Sequence, residues 1–129
     1  MVSAQELAHP LASLSACVSS GSVAELRSAV GGVRVSTEVR AYAVDLVRAT
    51  RTAAGVSLGA GPRASIALTR TAQALALFDD AGFVHPEHVR EMAASVIAHR
   101  LVIDPQAKFS GMTGRKLVEE LLDKLPVPA

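Results

Sequence analysis

Apolar positions recur along most of this chain at three- and four-residue spacing, the period of helices that turn one face to a core. From Ser36 or Thr37, both good N-caps, the residues Val39, Tyr42, Ala43, Leu46, Val47, Thr50, Ala53 and Ala54 share one arc at 100° per residue. That pattern predicts a helix to about Ala54 that stops at Gly55, with Arg40, Arg48 and Arg51 as a stripe on its flank. Upstream, Ser22 is placed to cap a helix over residues 23–30, with Val23, Leu26 and Val30 on one face and the Gly31-Gly32 pair as its end. Downstream, a helix from Pro62 to about Asp79 carries a broad arc of Ala64, Ala67, Leu68, Ala72, Leu75, Ala76 and Phe78. Ile66 and Leu77 lie opposite that arc beside Arg63 and Arg70, so this helix is expected to pack on two sides, or on its own core and a partner.

Residues 80–85 read as a loop, and Pro86 opens a further helix to about Ala98 with Val89, Met92, Ala93, Val96 and Ile97 inward. The run His99 to Ile103 suits a strand or an extended connector, and Asp104 to Gly111 a loop. Thr113 caps a last helix that buries Leu117, Val118, Leu121, Leu122 and Leu125 and is ended by Pro126 and Pro128. Residues 1–21 read as a connector, with a short helical stretch around Gln5 to Ala8 ahead of Pro10. The expected fold is therefore all-α: a small helical bundle over residues 22–129, with room for one or two very short strands.

Composition narrows the function classes. The chain has 129 residues, enough for one domain with a real core, and its net charge of +1 provides no global attraction to nucleic acid or membrane. Aromatics make up 3%, which leaves little for stacking bases, whereas the 23 alanines favour helix. No apolar run approaches the roughly 18 residues of a membrane span. Cys17 stands alone and no secretory leader is recognisable, so a cytoplasmic protein is expected. Charge is unevenly placed: residues 22–70 hold seven arginines, no lysine and three acids. Guanidinium forks suit phosphate and carboxylate, so this half fits an anion site or an ion-paired interface, although GC-rich codon usage would also raise Arg and Ala together.

The sharpest local lead is Gly59-Ala-Gly-Pro-Arg-Ala-Ser65, a glycine-rich loop running into a helix with Pro62 at its first position and Arg63 at its second. A cation there opposes the helix dipole by roughly 0.3 to 1 kcal/mol unless an anion shares the site. The same residues also read as an exposed arginine at an ordinary helix start, since Pro is common there. Other chemistry is thin. No Gly-x-x-x-x-Gly-Lys-Ser/Thr occurs, so the loop is not a P-loop, and catalysis by this chain alone is not indicated. His85 and His88 flank Pro86-Glu87 but make too small a ligand set for zinc; His85 reads as an imperfect cap, His88 as a surface residue, and Asp79-Asp80 as a solvated pair. The face of Ile66, Arg70 and Leu77 leaves a freestanding helical adaptor open as an alternative, whereas low total charge and few aromatics disfavour nucleic-acid binding through the arginine-rich half.

Four blocks in order carry a resemblance: Tyr42-Ala-Val-Asp-Leu-Val-Arg-Ala-Thr-Arg51, Gly59-Ala-Gly-Pro-Arg-Ala-Ser-Ile-Ala-Leu68, Phe83-Val-His-Pro-Glu-His-Val89 and Val96-Ile-Ala-His-Arg-Leu-Val-Ile103. Together they resemble the C-terminal helical lid domain of MoxR-type AAA+ ATPases, over nearly the whole chain. The resemblance implies a lid that closes over ATP and Mg²⁺ held by an AAA+ core, of the same or a neighbouring subunit, in a ring homo-oligomer. It implies that Arg63, with Gly61 and Pro62, is the sensor-2 element that contacts ATP phosphate, and that no nucleotide is bound by this chain alone. Arg40, Arg48, Arg51, Arg70, Arg100, Ile66 and Leu77 follow as interface candidates. The family acts in chaperone-like assembly of partner complexes, often with von Willebrand A-domain proteins. Gly61 stands where the family usually has serine, and His85 and His88 where threonine and aspartate are common. The core's Walker motifs are absent from these residues, which fits an excised domain, a truncated frame or an independent protein.

Overall fold

The apolar arcs of four helices converge on one another and account for most of the core. The computed structural model describes residues 13–128; the short helix expected near Gln5 lies outside them. In chain order they form α1 (Ser20–Gly32), α2 (Thr37–Thr52), β1 (Val56–Leu58), α3 (Pro62–Phe78), α4 (Pro86–Ile97), a 3₁₀ turn (Ala98–Arg100), β2 (Val102–Ile103), α5 (Pro105–Phe109) and α6 (Gly114–Lys124). A small helical bundle with one two-stranded sheet results, in line with the expected fold class. None of the described helices is long and apolar enough to cross a membrane.

α3 is the central element, packed on α4, α2 and α1, and α6 closes the bundle against α4 and α2. Leu46 from α2, Leu68 from α3, Val89 and Ile97 from α4 and Val118 from α6 are all but fully buried. Alanine strings on α3 (Ala64, Ala72, Ala76) let its neighbours approach closely, so the larger side chains meet over them. Truncating a leucine at such a position removes roughly 2–5 kcal/mol. Ser36 caps α2 by accepting a hydrogen bond from the Val39 N–H at 3.2 Å. Glu38, in that first turn, has its carboxyl held below the usual carboxylate range by its own backbone N–H and by the Ser36 hydroxyl. Arg90 pins α4 to its neighbours: one guanidinium nitrogen donates to the Leu122 carbonyl at 2.6 Å and to the Tyr42 hydroxyl at 3.2 Å.

Several expectations are corrected. α1 is capped by Ser19, not Ser22: the Ser19 Oγ accepts from the Ser22 N–H, and the helix starts at Ser20 and ends at Gly32, as the Gly31-Gly32 pair signals. The chain is held just past its end, where Val33 is buried, the Gln73 amide donates to the Val33 carbonyl at 2.7 Å, and Arg34 pairs with the strand-like segment around Phe83. The face of Val23 and Leu26 stays exposed, because three apolar residues make too narrow a stripe to hold a helix against α3 over its length. Phe78 is exposed as well. α3 closes there in a left-handed turn at Asp80 (φ 54°), with the Ala81 N–H reaching back to the Ala76 carbonyl at 2.8 Å, so Ala81 and not Phe78 packs on the core. The segment Asp104 to Gly111 is not merely a loop: Asp104 accepts from the Gln106 N–H and Pro105 takes the first position of α5. β2 pairs antiparallel with β1, Val56 opposite Ile103 and Leu58 opposite Val102, across an irregular register.

His88 is buried, not a surface residue. Its Nδ1 accepts the His85 N–H at 3.0 Å, and its Nε2 lies 3.3 Å from an Asp79 carboxylate oxygen. The ring therefore both caps α4 and ties it to the end of α3, which gives Asp79 a partner beyond solvent.

Candidate functional site

The loop from β1 into α3 is held by the last turn of α2. Thr50, fully buried, donates its hydroxyl hydrogen to the Val47 carbonyl at 2.6 Å and accepts the Ala60 N–H at 3.0 Å. The next residue, Arg51, donates from Nε to the Ala60 carbonyl at 3.0 Å. Adjacent residues of one helix thus grip both backbone polar groups of a single buried residue, Ala60. Gly59 is the third element of the grip: a Cβ there would lie 2.7 Å from the Arg51 Cα and 2.8 Å from the Thr50 carbonyl oxygen, inside contact distance of backbone. Only glycine lets the loop lie this close to α2.

Beyond the grip, Gly61 is the N-cap of α3 and offers no side-chain acceptor; Pro62 occupies the first position, and the first turn contains no acid. Arg63 is exposed, and among the described residues it makes neither a hydrogen bond nor an ion pair. An uncapped positive helix end thus carries a free guanidinium, and the first turn is rigidly placed from behind. Such an arrangement fits an oxyanion, which the planar fork would hold in two parallel hydrogen bonds at the favoured end of the dipole. The phosphates of a nucleotide meet that requirement. The described residues bring together no three His, Cys, Asp or Glu side chains that could hold a metal ion.

The other sequence candidates are dispersed. Arg40 lies at the start of α2 with one long bond of 3.4 Å to the Val35 carbonyl, and Arg70 and Ile66 are exposed on α3. Arg48 stands 3.7 Å from Asp45, a surface pair contributing little. Arg51 is committed to Ala60, and Arg100 to the Val96 carbonyl at 3.1 Å. Leu77 is partly buried against the core. Sequence reasoning placed Thr50 on the apolar arc of α2 without seeing its task. The signal was available in principle, because a polar residue on a core arc must find a buried partner.

Comparison with known proteins extends the picture. The AAA lid domain family matches residues 48–121, which include the grip, the glycine-rich loop and α4. The chain is 34% identical over 128 residues to the uncharacterized protein YeaC of Bacillus subtilis, covering 99% of this chain and 40% of that protein. It is 32% identical over 73 residues to the chaperone MoxR1 of Mycobacterium tuberculosis, covering 57% of this chain and 19% of that one. A crystal structure of a Cytophaga hutchinsonii protein, provisionally assigned as an ATPase, superposes with a TM-score of 0.81 at 30% identity over 87% of this chain and 37% of its own. The chain thus spans about two-fifths, or less, of the length of each of these relatives.

Proposed function

The chain belongs to the AAA lid domain family, and we propose that it closes over ATP held by an AAA+ core domain, with Arg63 as a sensor-2 contact to the phosphates. The observation that carries this reading is the guanidinium of Arg63, without a partner among the described residues, at a helix start with no side-chain cap. Left without an anion, that placement costs about 0.3–1 kcal/mol, whereas a phosphate turns both the dipole and the cation into favourable contacts. ATP with Mg²⁺, bound by the core, supplies the phosphoryl group and its charge compensation. This chain's own part is positioning. Thr50, Arg51 and Gly59 fix the loop, Gly61 and Pro62 start the helix, and Arg63 meets negative charge with a preorganised cation.

Because the contact needs a lid docked on a core, the exposed Arg40, Arg48, Arg70 and Ile66, with Arg100 and the half-buried Leu77, are the proposed interface residues, and ring assembly is the proposed working state. The likeness to the MoxR1 chaperone supports a chaperone-like role for the complete ATPase. The test is Arg63→Ala in an ATPase that carries this lid. Hydrolysis should fall by about one to three orders of magnitude with the lid still folded. Unchanged hydrolysis together with unchanged nucleotide affinity would overturn the assignment.

A further inference from the structure

One helical turn along α3 from Arg63, an open groove of about 250 Å³ separates α3 from α2. Val44 and Ile66 line it together with Ser65 and Thr69, and Arg40 and Arg70 reach it from the two helices. Its polar side chains are already used by their own chain: the Ser65 hydroxyl donates to the Pro62 carbonyl at 2.7 Å, the Thr69 hydroxyl to the Ser65 carbonyl at 2.9 Å, and the Gln73 amide to Val33. What remains to a ligand is aliphatic surface, with Ile66 63% exposed, and two cations. Neither Arg40 nor Arg70 has an acidic partner among the described residues, and no acid lines the groove.

These features restrict the occupant. A bare anion would satisfy the arginines but leave Ile66 and Val44 wet; an uncharged apolar ligand would cover the aliphatic surface and leave the cations unmatched. We propose that the groove between α2 and α3 binds an acidic protein segment, which lays an aliphatic side chain over Ile66 and Val44 while flanking carboxylates pair with Arg40 and Arg70. Charge complementarity then sets register and the burial supplies affinity. The inference rests on the reading of Arg40, Arg70 and Ile66 as interface residues and names what they would hold; the role of Arg63 is read out by ATP hydrolysis and not by this binding.

The probe is a fluorescein-labelled, helix-forming peptide of roughly 20 residues with a central leucine flanked by glutamates one turn away on each side. Its anisotropy is titrated with this chain. Saturable binding that weakens with added salt is expected. Ile66→Asp, or Arg40→Glu with Arg70→Glu, should each weaken it at least about tenfold, and replacing the two arginines by lysine should largely restore it. Arg27→Glu and Arg115→Glu, at exposed positions outside the groove, should leave it unchanged. All these positions are exposed, so melting curves should show folded variants. Absence of saturable binding, equal losses at Arg27 and Arg115, equal binding of a serine-for-leucine peptide, or displacement by inorganic phosphate would each overturn the proposal.

Discussion

The Thr50 hydroxyl accepts the Ala60 amide at 3.0 Å while donating to the Val47 carbonyl at 2.6 Å, so one buried oxygen at the end of α2 sets where α3 begins. Thr50→Val keeps the shape but leaves the Ala60 N–H without a partner in a buried place. We expect a loss of about 1–3 kcal/mol in urea unfolding with an unchanged m-value. A variant as stable as the parent would show that water replaces the hydroxyl and that the grip matters less than its geometry suggests.

Gly59→Ala forces a methyl group to within 2.7 Å of the Arg51 backbone. Because the opposing atoms belong to a helix and cannot swing aside, the loop must move off α2, at a cost of about 1–3 kcal/mol. The amide resonance of Ala60 in a heteronuclear NMR spectrum should shift more than those of α6. A shift spread evenly over the domain would argue against a local displacement.

Gly61→Ser should act in the opposite direction. A Cβ at Gly61 meets nothing within 4 Å, its φ of −84° suits any residue, and a serine oxygen there would cap the first turn of α3. A gain of a few tenths of a kcal/mol is expected, which raises the melting temperature by roughly 1–3 °C. A lowered melting temperature would mean that the glycine serves a backbone requirement not visible in its dihedral angles.

His88 receives the His85 N–H on Nδ1, so the neutral ring must carry its proton on Nε2, facing Asp79. Long-range ¹H–¹⁵N spectra should report that tautomer, and an Nδ1–H ring would refute the arrangement. His88→Ala removes both contacts and should cost about 1–2 kcal/mol, with the His85 amide exchanging faster with solvent.

Much of the bundle was legible along the chain. The arcs of α2, α3, α4 and α6 and the stops at Gly32, Asp79 and Pro126 follow from periodicity and punctuation, which are local properties of the backbone, while α2 ends at Thr52, two residues short of the expected Ala54. The Gly-Ala-Gly-Pro-Arg block likewise marks a helix start with a misplaced cation. Where local reasoning failed, a distant contact decided the outcome. His88 reads as polar and exposed, and became buried because Asp79 and the His85 amide satisfy both ring nitrogens.

For the candidate site the division is similar. Sequence alone determined that Arg63 sits in a first turn with no acid and no side-chain cap, since residue order and type settle what lies within one turn of a helix. Only the tertiary structure decided that this turn is held by α2, that Arg51 is spent on Ala60 while Arg40 and Arg70 have no acidic partner among the described residues, and that those two flank one groove. Each depends on which residues of α2 face the loop and α3, and the packing of the two helices sets that relation across nine to thirty residues of sequence.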